Sequence, residues 1–232
     1  MLSAKMEDYL KTIYELQRQG EPPVATSAIA ETLDVTAPTA TSMMGTLADG
    51  GFVEREKYKG VTLTPEGETV ALEVLRHHRL LETYLAEQLG YDWTEVHDEA
   101  DRLEHHISEE FERRVADLLG DPEVDPHGDP IPRDSLEPVE EPVGTALAAH
   151  EEGADVVVKR VRDRDPEELA YLEDHGVTPG TRLQVREVAP IGLITVELAS
   201  GEDVSLPAPV ADAIRVRAAD AAVDGVEGGG AA

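Results

Sequence analysis

The stretch Thr26 to Leu63, TSAIAETLDVTAPTATSMMGTLADGGFVEREKYKGVTL, decides the fold. Ile29, Ala30 and Leu33 form the buried face of a short helix that Thr26 or Ser27 can cap, and Asp34-Val35 makes a tight connection. Thr36 then caps a further helix with Pro38 in its first turn, running through Met43, Met44 and Leu47 to Gly50-Gly51. These signals predict a helix-turn-helix. Two short alternating segments follow, Phe52 to Arg55 and Val61 to Leu63, around the basic turn Glu56-Lys57-Tyr58-Lys59-Gly60. A helix-turn-helix followed by a β-hairpin is a winged helix, expected over residues 1–64.

On the N-terminal side, Met6, Tyr9, Leu10, Ile13 and Leu16 recur at helical spacing, ended by Gly20 and Pro22-Pro23. On the other side, Pro65-Glu66-Gly67 opens a long helix that ends near Gly90, and a second helix is predicted from about Thr94 to Leu119. A helical domain is thus expected over 65–140. Residues 121–145 are dense in Pro, Asp and Glu and predict irregular chain, with a linker at 141–154. From Asp155 the period changes to two, with one short helix at about Pro166 to His175 and a hairpin turn at Ser200-Gly201. This predicts a small barrel of SH3-like size over 155–217. The Gly/Ala/Asp-rich residues 218–232 are expected to be disordered. The chain is therefore mainly α with a small β domain.

Among 232 residues there are 49 Asp+Glu and only 20 Lys+Arg, a net charge of -29, yet 41% of residues are hydrophobic. The acid coats a folded protein rather than a disordered one. Without cysteine or asparagine, disulfides, thiolate metal sites and N-glycosylation are excluded. No apolar run approaches the roughly 18 residues of a membrane span, so a soluble, cytoplasmic protein without membrane contact is expected. The acidic excess with little lysine resembles the composition of proteins from salt-accumulating halophiles, where salt screens the self-repulsion. The charge is uneven: residues 1–63 carry a net -3 and the remainder -26.

That near-neutral quarter holds a face suited to DNA. Thr36, Ala37, Pro38, Thr39, Thr41 and Ser42 fall in the first two turns of the second helix of the motif. Their hydroxyls can donate to phosphate oxygens or meet base edges, and the small side chains permit close approach to a major groove. Thr26 and Ser27 precede them, and Arg55, Lys57, Tyr58 and Lys59 form the wing. The alternative is a three-helix fold with a polar face.

A second constellation is His97-Asp98-Glu99-Ala100-Asp101-Arg102-Leu103-Glu104-His105-His106. On one helix, positions 97, 101, 104 and 105 share a face, presenting two imidazoles and two carboxylates. His78 and Glu82 are i and i+4 on the preceding helix, and Asp8 lies on the first helix off its apolar stripe. Carboxylates that meet at a helix junction call for a divalent cation; otherwise they form a solvated acidic face. The string Asp98-Glu99-Ala100-Asp101 has no phosphate-binding loop beside it, so it is not a helicase signature.

These segments, with Met6 to Leu16, Ile29 to Leu33, Ala37 to Thr39, His78 to Glu82 and His97 to His106, make the chain resemble the metal-dependent repressors of the diphtheria toxin repressor and manganese transport regulator family, over about residues 4–217. The resemblance implies an N-terminal winged helix-turn-helix, a helical metal-binding and dimerisation domain, and an SH3-like, FeoA-like C-terminal domain. By position it implies one metal site at Asp8, Asp101, Glu104 and His105 and a second at His78, Glu82 and His97, to which Asp165 and Glu168 would add. Asp8 and Asp101 stand where iron-responsive members have Met and Cys, giving a hard oxygen and imidazole set that suits Mn²⁺ and admits Fe²⁺. Lys11 stands where manganese-responsive members tend to have Glu, which argues against a binuclear manganese arrangement.

The implied function is a homodimeric, Mn²⁺- or Fe²⁺-activated transcriptional repressor of metal-uptake genes on a palindromic operator, and not an enzyme. Two other readings compete: a metal-dependent hydrolase, and a winged-helix sensor of a small organic ligand. The first lacks a separate general base and oxyanion donors; the second would leave the histidines structural.

Overall fold

The computed structural model describes residues 2–20, 22–138, 144–162 and 166–219. The chain divides into two compact units, residues 1–141 and 142–232.

The N-terminal unit opens with helix α1 (Ala4–Gln19), whose apolar stripe buries Tyr9, Leu10 and Ile13. Helices α2 (Thr26–Thr32) and α3 (Ala37–Asp49) form the helix-turn-helix. The expected capping holds for α3, where the Thr39 N–H donates to Thr36 Oγ1 at 3.4 Å. It fails for α2: Ala25 is the N-cap, and neither Thr26 nor Ser27 caps it through its side chain. Strands β1 (Val53–Glu56) and β2 (Gly60–Leu63) pair antiparallel as the wing. Val24 and Val61 exchange two backbone hydrogen bonds, 2.8 and 2.9 Å, which fasten the wing to the chain entering α2. Gly60, at φ +148°, makes that approach possible, because a Cβ there would lie 1.9 Å from the Val24 carbonyl oxygen. Leu10, Ile13, Ile29, Met44, Leu47, Leu72 and Leu75 close one core beneath these elements.

Helix α4 (Pro65–Leu89) starts at a Thr64 cap and ends at Gly90 in the left-handed conformation. The single helix expected over 94–119 is two: α5 (Val96–Leu103) and α6 (Glu109–Leu119). Ser108 caps α6 by accepting from the Phe111 N–H at 3.3 Å, so Glu104 and His105 lie in a turn and not on a continuous helical face. Smaller clusters seat these helices on α4, Leu81, Leu85, Val96 and Ala100 for α5, and Leu80, Val115, Ala116 and Ile131 for α6.

The irregular chain expected from residue 121 is irregular but firmly held as far as residue 132. Asp125 Oδ1 accepts from the His127 and Asp129 N–H groups, both at 2.9 Å, and Arg76 donates to the Pro132 carbonyl at 2.7 Å. Asp125, His127, Asp129 and Ile131 are buried. Side chains of α4 and the Trp93 region supply the order that the local sequence lacks.

The C-terminal unit is a six-stranded antiparallel sheet in the order β3-β8-β4-β5-β6-β7. Its strands are β3 (Thr145–Ala146), β4 (Asp155–Val161), β5 (Arg182–Ala189), β6 (Leu193–Leu198), β7 (Asp203–Pro207) and β8 (Ile214–Ala218). Helices α7 (Pro166–Asp174) and α8 (Ala208–Ala213) accompany it. The expected hairpin at Ser200-Gly201 is present, with the Leu198 N–H donating to Glu202 at 2.9 Å. Two expectations change. The sheet is not a closed barrel: its edge strands, β3 and β7, do not pair with each other. Nor does the linker reach residue 154, since Thr145–Ala146 pairs with β8 and Gly153 donates to Val185. Ala218 and Ala219 belong to the sheet margin, the Ala219 N–H donating to Asp155, while residues 220–232 of the expected tail lie outside the described residues.

Candidate metal centre and nucleic-acid interface

α1 presents Glu7, Asp8 and Lys11 on one side, because i and i+3 or i+4 neighbours share a helical face. The turn after α5 meets that side. His105 Nε2 donates to Asp8 Oδ1 at 2.8 Å and Nδ1 to Glu7 Oε2 at 2.7 Å. His105 Nε2 also lies 3.3 Å from Glu104 Oε1. The Asp8 hydrogen bond, with Glu7 and Glu104 adding and burial opposing, lifts the imidazole to a pKa of about 9. Asp8, Glu104 and His105 thus form one group whose donor atoms lie within 4.8 Å of one another.

The fourth residue expected in that group, Asp101, sits elsewhere. It gathers with His78 and His97, its Oδ1 3.2 Å from His78 Nδ1. Lys11 stands between the two carboxylates, donating to Asp101 Oδ1 at 2.8 Å and to Glu104 Oε1 and Oε2 at 2.7 and 2.9 Å. Burial alone would lower the ammonium pKa, but Glu104 and Asp101 outweigh it and raise it. His78 is fully enclosed: Nδ1 donates to Glu104 Oε2 at 2.6 Å, and Nε2 lies 3.0 Å from Glu82 Oε1 and 3.1 Å from His97 Nδ1.

Glu82 is expected with His78 and His97, and its Oε1 does lie 3.2 Å from His97 Nδ1. It also opens a third group, Glu82, Asp125 and His127, all buried, which sequence reasoning misses because the 121–132 segment carries no periodicity. His127 Nε2 donates to the Trp93 carbonyl at 3.0 Å, which turns Nδ1 toward Glu82 Oε1, 3.9 Å away. Burial opposes ionisation of Glu82, yet His78 and the other imidazoles hold it well below the usual carboxylate range. Burial, with Glu82 and Asp129 beside it, pushes Asp125 well above that range. The signal that could have found this group is the Asp125-x-His127 pair itself.

Whether these residues fit a divalent cation is tested by their chemistry. Every donor is carboxylate oxygen or imidazole nitrogen, the set that suits Mn²⁺ or Fe²⁺. Glu82 Oε2 is buried without a hydrogen-bond partner among the described residues, which is costly unless a cation takes it up. Of the residues expected from the C-terminal unit, Glu168 is half-buried in the first turn of α7, and Asp165 lies outside the described residues.

The DNA-reading candidates occupy one end of the N-terminal unit. Thr36, Ala37, Pro38, Thr41 and Ser42 are exposed on α3 and Thr39 is half-buried. Thr26 and Ser27 line a cleft with Arg55, Lys57, Tyr58 and Lys59 of the wing. Tyr58 is 94% exposed at the wing tip with the Lys57 ammonium 4.9 Å from its ring centre, and Lys59 is paired to Glu56 at 2.8 Å.

Three family models match in succession: "Iron dependent repressor, N-terminal DNA binding domain" over residues 1–61, "Iron dependent repressor, metal binding and dimerisation domain" over 64–133, and "FeoA domain" over 145–218. The iron-dependent repressor IdeR of Mycobacterium tuberculosis is 33% identical over 228 residues, covering 90% of this chain and 95% of that protein. The diphtheria toxin repressor of Corynebacterium diphtheriae is 32% identical over 219 residues, covering 90% and 95%. Among solved structures, a manganese-dependent transcriptional repressor in complex with manganese superposes with a TM-score of 0.86 at 40% identity, covering 92% of this chain and all of that one. The manganese regulator SloR gives 0.77 at 34% identity, covering 92% and 98%. With three domain models matched in order and nine-tenths of its length aligned to such a relative, the chain belongs to the iron-dependent repressor family of metal-dependent transcriptional repressors.

Proposed function

We propose that this protein is a cytoplasmic, homodimeric regulator which, loaded with Mn²⁺ or Fe²⁺, binds a palindromic operator and represses metal-uptake genes. The observation that carries this reading is the contact of Asp8 with His105, which links the DNA-reading unit's first helix to the turn after α5. Family membership favours regulation over hydrolysis, and the oxygen and imidazole donor set favours a cation over an organic effector. No helix of the described residues is long and apolar enough to cross a membrane.

When bound, a divalent cation supplies the positive charge that lets several carboxylates share a small volume. Asp8 would hold it from α1, and Glu104 and His105 from the helical domain. With these side chains so held, α1, and with it α3, would be fixed at the spacing that two half-sites present to a dimer. His78, His97 and Asp101 would hold a cation in a second group and Glu82, Asp125 and His127 in a third, with Asp165 and Glu168 proposed as further ligands from the FeoA domain.

The test is operator-fragment binding by the full chain at high KCl, titrated anaerobically with Mn²⁺ and Fe²⁺. Metal-dependent binding, lost in Asp8→Ala, supports the reading; operator binding indifferent to both metals overturns it. Loss of one Mn²⁺ per chain in the double variant Asp165→Ala/Glu168→Ala tests the FeoA-domain ligands separately.

A further inference from the structure

Both ring nitrogens of His105 are held from α1, and by consecutive residues. Nδ1 donates to Glu7 Oε2 at 2.7 Å and Nε2 to Asp8 Oδ1 at 2.8 Å. Side chains one residue apart on a helix do not face each other, so Glu7 and Asp8 reach the two edges of one imidazole instead of meeting. The two edges differ in company. Nε2 lies 3.3 Å from Glu104 Oε1 and belongs with Asp8 and Glu104 to the group that can hold a cation, whereas Glu7 lies against the nitrogen on the far side of the ring. The Nδ1 bond is also the more sheltered of the two, since the Glu7 side chain is 23% exposed and that of Asp8 41%.

We propose that Glu7 is the positioning residue of the Asp8, Glu104 and His105 group: its carboxylate binds the Nδ1–H of His105, presents Nε2 to the divalent ion and keeps the ring aimed at Asp8 and Glu104. The inference rests on the metal reading above and names a residue that acts on the ion only through one of its ligands. A neutral imidazole has one protonated and one free nitrogen, and the hydrogen bond made by the first decides which is free for a metal. Presenting Nε2 to an ion costs the ring its bond to Asp8 Oδ1 and leaves the Nδ1 bond in place. Glu7 therefore joins α1 to the turn after α5 in the metal-free and the loaded chain alike, while Asp8 exchanges one partner for another.

Glu7→Leu removes the acceptor, and Glu7→Gln keeps an acceptor oxygen without the charge. Isothermal titration of the full chain with Mn²⁺ is expected to give roughly 10- to 100-fold weaker binding in Glu7→Leu at unchanged stoichiometry, with most of the loss recovered in Glu7→Gln. Wild-type affinity in a folded Glu7→Leu protein overturns the proposal, and so does a Glu7→Gln protein that binds no more tightly than Glu7→Leu. Nitrogen NMR of the ¹⁵N-histidine-labelled full chain, loaded with diamagnetic Zn²⁺ and assigned with His105→Gln, supplies a readout that a merely structural contact would not move. His105 should show Nε2 on the metal and a protonated Nδ1, and a metal-bound Nδ1 in wild-type protein overturns the proposal even should Glu7→Leu fail to fold. Wild-type protein that takes up no Mn²⁺ refutes the metal reading and this proposal with it; uptake that is indifferent to Glu7→Leu refutes this proposal alone.

Discussion

His105 Nε2 stands 2.8 Å from Asp8 Oδ1, a contact that crosses 97 residues of sequence and joins α1 to the turn after α5. Asp8→Ala removes the only carboxylate in the Asp8, Glu104 and His105 group that comes from the DNA-reading helices. Allosteric couplings are typically about 1 to 3 kcal/mol, so the wild-type gain in operator affinity on adding Mn²⁺ should be roughly five- to 150-fold and fall to within about twofold in the variant. Fluorescence anisotropy with a labelled operator, with and without Mn²⁺, measures both.

The same imidazole sets a pH dependence. Its pKa of about 9 in the fold lies above the ordinary histidine value of about 6.5, raised by the bond to Asp8 and then by Glu7. Its contribution to the stability of metal-free protein is fully present below about pH 6.5 and is lost as pH rises through about 9. Thermal melts of metal-free wild type should fall toward those of His105→Gln over that window. Metal ligation needs the neutral ring, so the proton leaves on binding, and apparent Mn²⁺ affinity should rise by about tenfold per pH unit between about pH 7 and 9 for that proton alone.

At the wing, Arg55 and Lys57 are exposed cations on the face proposed to read DNA. Replacing both with alanine should lower the slope of log affinity against log salt by about 2, roughly one for each phosphate that is no longer neutralised. Mn²⁺ stoichiometry should not change, because neither residue belongs to the carboxylate and imidazole groups. Operator binding across a KCl series, paired with metal titration, checks the two halves of this expectation.

Trp93 is the only tryptophan, and its ring lies 5.1 Å from that of His127. Mn²⁺ is paramagnetic, so an ion held by Glu82, Asp125 and His127 should quench its fluorescence. Asp125→Ala should abolish the quenching that arises from this group while leaving metal-dependent operator binding through Asp8 in place. Unchanged quenching in the variant would remove the third group from the metal-binding set.

Gly60 lies where the wing meets the chain entering α2. Its φ of +148° and the 1.9 Å approach of an added Cβ to the Val24 carbonyl leave no room for alanine. Gly60→Ala should break the Val24 to Val61 pairing and weaken operator binding at least tenfold, about 1.4 kcal/mol, while Mn²⁺ binding persists. Amide exchange at Val24 and Val61 reads the local change directly.

The helix-turn-helix was legible because its punctuation is local: the Thr36 cap, Pro38 in the first turn and Gly50-Gly51 lie within the elements they bound. The α5 to α6 break was hidden because His97, Asp101 and His105 keep helical spacing up to it; Ser108 followed by Glu109 and Glu110 is the cap signature that marks it. That break also explains the regrouping of ligands. His97 and Asp101 share a turn of α5 as their spacing requires, whereas Glu104 and His105, past its end, face α1. Asp125 and His127 offer a sequence signal only in their spacing, and their position comes from Arg79, Trp93 and the backbone of residues far away. Strand β3 is two residues long, below what alternation can reveal.

The paired hydrogen bonds between Val24 and Val61 make the hairpin and the helices beside it one mechanical part. Wing and helix-turn-helix are therefore expected to tilt as a unit, so that groove and backbone would be engaged or released in the same movement. Half-occupied encounters, with the hairpin seated and the helix not, are costly for such a head. Such a head is expected to discriminate operators by the separation and phase of their half-sites more than by piecemeal adjustment within each one.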